Sequence, residues 1–230
     1  MPGKVCYLAS GGMDSSFGIH LLKQEGYEVL PCYLDYGQAV KACELNTLQR
    51  FLSSIGLKWP LLLEIKMFDI FTDFWAVSGD SVPSYKEDIA NEYIPARNIL
   101  FIVKTAAYMQ LHNIQHMAVG CTASDCMPDN RRSFFDAMEA VLALGMESSK
   151  YPFVPKILTP TEHMTKTEIA KGFAAAGLDA TLTWSCYGHG EEHCGECWQC
   201  YERHEAFVKA GIADPTKYAK AIDLENKSLI

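Results

Sequence analysis

The chain has 230 residues, of which 49% are apolar and 21% charged, with 16 glycines and 10 prolines. Such a chain buries a core without staples, which excludes dominant disorder and collagen-like or low-complexity fibres, and its length fits one domain or a domain with a small appendage. A formal charge of −8 argues against wrapping a nucleic-acid backbone, which needs a basic stripe; a small anionic ligand needs only a few N–H groups and one or two basic side chains.

The opening MPGKVCYLASGG lacks the long apolar region and cleavage site of a leader, and no run is long enough to span a bilayer. It reads as the first strand of a cytosolic protein, Val5 to Ala9. Asp14 to Gln24 follows with Phe17, Ile19, Leu21 and Leu22 near one helical face, closed by Gly26. Tyr27 to Leu34 predicts a second strand, Ala39 to Ile55 an amphipathic helix and Leu61 to Ile65 a third strand. This β-α-β-α-β rhythm implies a parallel sheet flanked by helices, a Rossmann-like α/β fold. Met67 to Ile94 breaks the rhythm and predicts an inserted lid or substrate loop. Asn98 to His112 and Ser133 to Leu144 predict helices around a strand at Met117 to Gly120. Ile157-Leu158 begins a short strand, and Lys166 to Ala176 a helix ended by Gly177. From Thr181 the composition turns to Cys, His and Gly, so the chain divides into 1–180 and a small C-terminal element, 181–230. That element holds a last helix near Trp198 and, at Asp214-Pro215, a further helix-start pattern.

Ser10-Gly11-Gly12-Met13-Asp14-Ser15 lies between the first strand and the first helix. A helix N-terminus exposes unpaired N–H groups and a positive dipole end, so it attracts phosphate. Gly11 and Gly12 allow backbone angles that a side chain forbids and let N–H groups come close. Ser10 and Ser15 can donate hydroxyl hydrogen bonds. Asp14 can cap the helix or hold Mg²⁺ beside a pyrophosphate. With Leu8, Ala9 and Met13 these residues form a candidate phosphate-binding stretch, Leu8 to Ser15. A glycine turn with an aspartate cap is the plainer reading; strand before and helix after favour phosphate. The loop is not of the G-x-x-x-x-G-K-[ST] type, which argues against γ-phosphate chemistry.

Nine cysteines are present. Cys6, Cys32, Cys43, Cys121 and Cys126 are scattered, and the expectation for all five is packing in a reduced core. Cys186, Cys194, Cys197 and Cys200 are spaced C-x7-C-x2-C-x2-C, which is metal-site spacing. Four thiolates make a closed structural Zn²⁺ site; an iron–sulfur cluster or a redox dithiol uses the same residues. His189 and His193 lie inside the loop and could replace a thiolate.

The SGGMDS loop resembles that of the PP-loop ATP pyrophosphatase superfamily, whose members cleave ATP between the α- and β-phosphates and adenylate a substrate oxygen. Together with LDYGQ (Leu34 to Gln38), IPARN (Ile94 to Asn98), MTKTEIA (Met164 to Ala170), TWSCY (Thr183 to Tyr187), CGEC, WQC and Glu202-Arg203, it resembles the 7-cyano-7-deazaguanine synthase (QueC) family, from residue 4 to about 208. The resemblance implies a PP-loop fold of the HUP type and an AMP-forming C–N ligase. Its substrates would be ATP, 7-carboxy-7-deazaguanine and ammonia, with Mg²⁺ and Zn²⁺ as metals and a cytoplasmic homodimer as the working form. A carboxylate is a poor electrophile; adenylation of its oxygen, displacement of AMP by ammonia and a second adenylation of the amide oxygen lead to the nitrile. By the same resemblance Asp14, Arg97 and Lys166 are the catalytic candidates, Arg97 and Lys166 neutralising pyrophosphate or carboxylate charge. Gln38, Asn98, Asp125, Asp129 and Arg131 would surround the deazaguanine; for Asp129 the plainer reading is a helix cap.

Two stretches depart from the family. Where members read DYSGYPDCR, this chain reads Asp125-Cys126-Met127-Pro128-Asp129-Asn130-Arg131, and where they read QRH it has Gln38-Ala39-Val40. The missing His and Tyr would lie near substrate or nucleophile. That keeps open an amide-forming ligase of the kind found in antiviral operons, with a different, even protein-borne, amine. A PP-loop tRNA thiolase would want a basic RNA-facing surface, and a non-catalytic zinc-ribbon adaptor would leave the SGGMDS loop without a purpose.

Overall fold

The structure is a computed structural model that describes residues 2–67, 70, 74–88 and 93–225. Five strands, β1 (Lys4–Leu8), β2 (Glu28–Asp35), β3 (Leu61–Glu64), β4 (His116–Val119) and β5 (Lys156–Leu158), form one sheet in the order β3-β2-β1-β4-β5. Every pairing is parallel, with Val5 opposite Val29 on one side and opposite His116 on the other. The helices are α1 (Met13–Gln24), α2 (Lys41–Ser54), the single turn α3 (Trp75–Ser78), α4 (Arg97–Leu111), α5 (Arg132–Gly145), α6 (Lys166–Ala175) and α7 (Trp198–Ala210).

Side chains alternate across a strand, and β1 shows how this divides the core. Val5 and Tyr7 join Phe17, Ile19, Leu48, Phe51, Ile169, Phe173 and Phe207, so α1, α2, α6 and α7 cover one face. Cys6 points the other way and joins Ile102, Ala106, Met109, Phe135 and Leu142, so α4 and α5 cover the second face. Phe173 sits between Phe17 and Phe51, its ring centroid 5.9 Å from each. Because β1 continues to β2 on one side and borders β4 on the other, the loops leaving β1 and β4 diverge and open a crevice at the carboxyl ends of the strands, where open α/β sheets bind ligands.

Several expectations need correction. Asp214-Pro215 starts no helix. The Asp214 carboxylate does accept the Thr216 N–H (2.9 Å), as a cap would, but its other oxygen meets His204 Nδ1 (2.9 Å) and the Tyr218 hydroxyl (2.8 Å), which ties the chain down as an extended strap. Of the segment 67–94, residues 68, 69, 71–73 and 89–92 lie outside the described residues. The described part docks on the cysteine-rich element, with the Tyr85 N–H donating to the Glu196 carbonyl (3.0 Å) and the Tyr85 ring packed on Tyr201. None of it lines the crevice. Cys6, Cys32 and Cys121 are buried as core residues, whereas Cys43 is half-buried and Cys126 exposed.

Candidate functional site

The crevice is a cavity of about 290 Å³ built from element ends. β1 and its loop supply Leu8, Ala9, Ser10 and Gly12, and the first turn of α1 supplies Met13, Asp14 and Ser15. The opening residues of α4 supply Arg97 and Asn98, the first residue of α6 is Lys166, and α7 adds Gln199 and Glu202.

At the floor, Gly12 is the N-cap of α1 and no side chain caps the helix. The first-turn amides are therefore left for an external acceptor. Ser10 Oγ accepts the Gly12 N–H (3.2 Å), and the Ser10 and Ser15 hydroxyls lie 3.2 Å apart. Gly11 does not line the cavity but makes the turn. Its φ is +83°, its carbonyl accepts the Trp184 N–H (2.8 Å), and a Cβ there would lie 2.8 Å from the Glu44 carbonyl oxygen. A left-handed backbone and a clash with main chain both oppose a side chain. Gly11→Ala is therefore expected to cost about 2 kcal/mol or more of stability; chemical denaturation checks it, and an unchanged midpoint would refute the strain.

Asp14 does not cap the helix. Its Oδ1 is buried with no hydrogen-bond partner, and its Oδ2 lies 3.8 Å from Lys166 Nζ. Burial pushes its carboxyl up, with Lys166 opposing. Lys166 donates to Glu202 Oε2 (2.6 Å) and Gln199 Oε1 (3.1 Å). Burial works against its charge, but Glu202, Asp14 and Asp125 outweigh that and hold the ammonium well above its usual range. Asp125 accepts the Thr122 N–H (2.7 Å), and burial raises its carboxyl as well. Three carboxylates around one ammonium suit a site whose anionic ligand arrives with its own cations.

On the opposite wall Gln38 is fully engaged. Its Nε2 donates to the Tyr33 hydroxyl (2.7 Å) and the Leu34 carbonyl (3.1 Å), and its Oε1 accepts the Tyr36 N–H (2.9 Å). Glu44 accepts from the Tyr33 hydroxyl (2.6 Å), and burial raises its carboxyl too. Asn98 Nδ2 donates to the Asp129 carbonyl (3.2 Å) and to Asn130 Oδ1 (3.0 Å). Arg97 carries its charge beside Tyr36, Tyr187 and Asp129, directly after Ala96, which sits at φ 58°. Positive φ at a non-glycine residue is backbone strain, here placed at the edge of the cavity. Asp129 and Arg131 do not line the cavity. Asp129 lies in a 3₁₀ turn, Pro128–Asn130, and caps no helix, because the N-cap of α5 is Arg131; that guanidinium is exposed and donates to the Cys126 carbonyl (3.5 Å). Gln199, Glu202, Glu44, Tyr33 and Asn130 line the cavity without having been singled out. Gln199, Glu202 and Asn130 fall inside the motif stretches WQC, Glu202-Arg203 and Asp125–Arg131, whereas Glu44 and Tyr33 carry no such sign.

The sulfurs of Cys186, Cys194, Cys197 and Cys200 all lie within 4.8 Å of one another, with Cys194 and Cys200 at 3.8 Å. Backbone N–H groups point at them: Gly188 (3.1 Å) and Cys194 (3.2 Å) at Cys186 Sγ, Glu196 (3.3 Å) and Cys197 (3.4 Å) at Cys194 Sγ. Donors aimed at sulfur stabilise thiolate, the form that ligates metal. The cluster can hold a metal ion. His193 is not part of it; its Nε2 accepts the Ser185 N–H (3.2 Å) and its ring packs on Trp184.

The glycine loop lies at the switch point of this parallel sheet, the place where open α/β folds bind ligands. The family model described as queuosine biosynthesis protein QueC matches residues 4–211. A 7-cyano-7-deazaguanine synthase of Thermoplasma volcanium is 33% identical over 242 residues, covering 100% of this chain and 97% of its own. A 7-cyano-7-deazaguanine synthase 1 of Sphingopyxis alaskensis is 33% identical, covering 95% of this chain and 100% of its own. Among solved structures, the U34-tRNA thiolase NcsA from Methanococcus maripaludis with its 4Fe-4S cluster aligns at a TM-score of 0.48 and 15% identity, over 90% of this chain and 63% of that one. The chain belongs to the QueC family. No helix among the described residues is long and apolar enough to cross a membrane.

Proposed function

We propose that this chain is an ATP-dependent C–N ligase that converts 7-carboxy-7-deazaguanine and ammonia to 7-cyano-7-deazaguanine. The observation that carries this reading is the match to synthases of that name at 33% identity over essentially the whole length. The cavity supports it. The uncapped end of α1 with Ser10 and Ser15 receives the phosphates of ATP. Lys166 neutralises charge as pyrophosphate departs. Arg97, on the far side, holds the substrate carboxylate toward the α-phosphate, so that the attacking oxygen is oriented before the bond forms. Ammonia then displaces AMP to give the amide. A second adenylation, now of the amide oxygen, takes one proton from nitrogen and releases pyrophosphate; AMP then leaves with that oxygen as the second N–H proton is lost, which gives the nitrile.

Two metals fit the residues. The orphaned, buried Oδ1 of Asp14 suits Mg²⁺, which would offset the diphosphate charge. The four cysteines suit Zn²⁺: a tetrahedron with Zn–S of about 2.3 Å puts sulfurs about 3.8 Å apart, the Cys194–Cys200 spacing found here. Zn²⁺ with four thiolates has no open position, so its contribution is to the fold.

The test is pyrophosphate release by purified chain with ATP and Mg²⁺, followed by mass spectrometry of the product. Release that requires 7-carboxy-7-deazaguanine, with the nitrile as product, is expected. An end product that stays an amide would favour the amide-forming ligase, in keeping with the buried alkyl side chain of Val40 where the family has histidine. Release stimulated only by tRNA would overturn both.

A further inference from the structure

The metal turn and the cavity meet on one helix. Cys197 is the N-cap of α7 and Cys200 lies in its first turn. Gln199 and Glu202 are each two residues further along than one of these cysteines. At 3.6 residues per turn, a two-residue offset is a rotation of about 200°. The cysteines therefore face the metal side, and Gln199 and Glu202 face the opposite side. There both accept from Lys166 Nζ, at 3.1 and 2.6 Å. Lys166 is the first residue of α6, whose start is fixed by a reciprocal capping box between Thr165 and Glu168. Its main chain is thus set by one helix and its ammonium by another.

We infer that Glu202, assisted by Gln199, is a positioning residue that ties the active-site lysine to the metal-binding turn. The inference rests on the proposed function for the role of Lys166, and gives the cysteine cluster a second task besides folding its own element. A lysine ammonium on a flexible four-carbon stem samples many positions. Asp14, at 3.8 Å, and Asp125 would otherwise draw it toward the phosphate floor in competing geometries. The Glu202 hydrogen bond holds Nζ against α7 in the cavity wall, within reach of a departing pyrophosphate. Burial of Cys197 (1% exposed) and Cys200 (0%) makes the turn that carries Glu202 rigid once metal is bound.

The test uses the metal-loaded full chain with Glu202→Leu and Glu202→Gln, each alone and with Lys166→Ala. Glu202→Leu is expected to lower kcat for pyrophosphate release about tenfold and to raise KM for ATP only about threefold. Glu202→Gln, whose amide oxygen still accepts from Nζ, should recover most of that loss, and both variants should keep wild-type metal content. In the Lys166→Ala background Glu202→Leu should cause no further loss, because it acts through the lysine. Wild-type kcat in Glu202→Leu, additive losses in the double variant, or metal lost together with activity would each overturn the inference. Calorimetry with α,β-methylene-ATP and Mg²⁺ separates this from the proposed function. If the wild type turns over no carboxy-deazaguanine, that reading fails. The positioning role is then judged by whether Glu202→Leu and Lys166→Ala weaken the analogue, and whether the double variant weakens it no more than Lys166→Ala alone.

Discussion

Lys166→Ala is expected to lower AMP formation by about 100- to 1000-fold, the loss seen when one preorganised group that stabilises developing charge is removed from an active site. The lysine is the cation that Asp14, Asp125 and Glu202 share, and its side chain is only 13% exposed. Removing it leaves these carboxylates without the cation they share, with Arg203 still acting on Asp14, so the variant also loses stability, by roughly 1–3 kcal/mol. The pH dependence of that deficit has a definite sign. The carboxyls of Asp14 and Asp125 are already raised by burial, with Lys166 pulling them down. Without the ammonium they rise further. A carboxyl raised in the folded state favours folding while protonated and loses that contribution as pH increases through its folded value. The gap between wild type and Lys166→Ala should therefore be wide at pH 8 and narrow on acidification toward pH 5, as read from thermal melting. A gap that widens on acidification would contradict the carboxylate cluster; unchanged AMP formation would contradict the role of the lysine.

Much of this site could be read from the chain itself because its signals are local. The apolar runs of β1, β2 and β4 are buried on both faces of a parallel sheet, so they stand out as continuous stretches. The glycine loop is legible because Gly11-Gly12 stands directly between the apolar run of β1 and the periodic stretch of α1, and the cysteine cluster because metal ligands come in short spacings. What was missed depends on side chains meeting across long separations. The Lys166–Glu202 pair is 36 residues apart, and nothing periodic announces it. Arg203 stands in the sequence only as motif text beside Glu202, with nothing to show that it is 2% exposed. Its guanidinium donates to the Ala180 carbonyl (2.7 Å) and to the hydroxyls of Thr183 (2.8 Å), Ser185 (3.1 Å) and Thr216 (2.7 Å). Such acceptors are scattered in sequence and become a set only after folding. Asp214-Pro215 misled for the same reason, since partners elsewhere in the fold decided the path of the chain.

Cys197→Ser is expected to weaken metal binding, lowering metal content, and to melt roughly 5–15 °C below the wild type. Structural zinc contributes about 10–16 kcal/mol of apparent folding energy, so one of four ligands carries roughly 3 kcal/mol, and for a chain of this size each kcal/mol moves the midpoint by about 2–4 °C. The loss spreads because the turn is an anchor for several segments. Ser84 forms a bridge with Cys197. The strap packs on Gly195, which has φ +77° and so little room that a Cβ would lie 2.0 Å from the Lys220 carbonyl oxygen. Ala219 N–H donates to the His193 carbonyl (2.8 Å) and His193 N–H to the Lys217 carbonyl (3.1 Å). From α7 the connection continues through Arg203 to Thr183 and Ser185, whose neighbour Trp184 donates to the Gly11 carbonyl (2.8 Å). Loosening the turn should therefore weaken nucleotide binding as well as stability, the more so because Cys186 itself lines the cavity with Ser10 and Gly12. Metal analysis, melting and analogue titration on one preparation check all three effects. Full metal content with a wild-type midpoint would remove Cys197 from the ligand set, and metal loss with unchanged nucleotide affinity would sever the link from the cluster to the glycine loop.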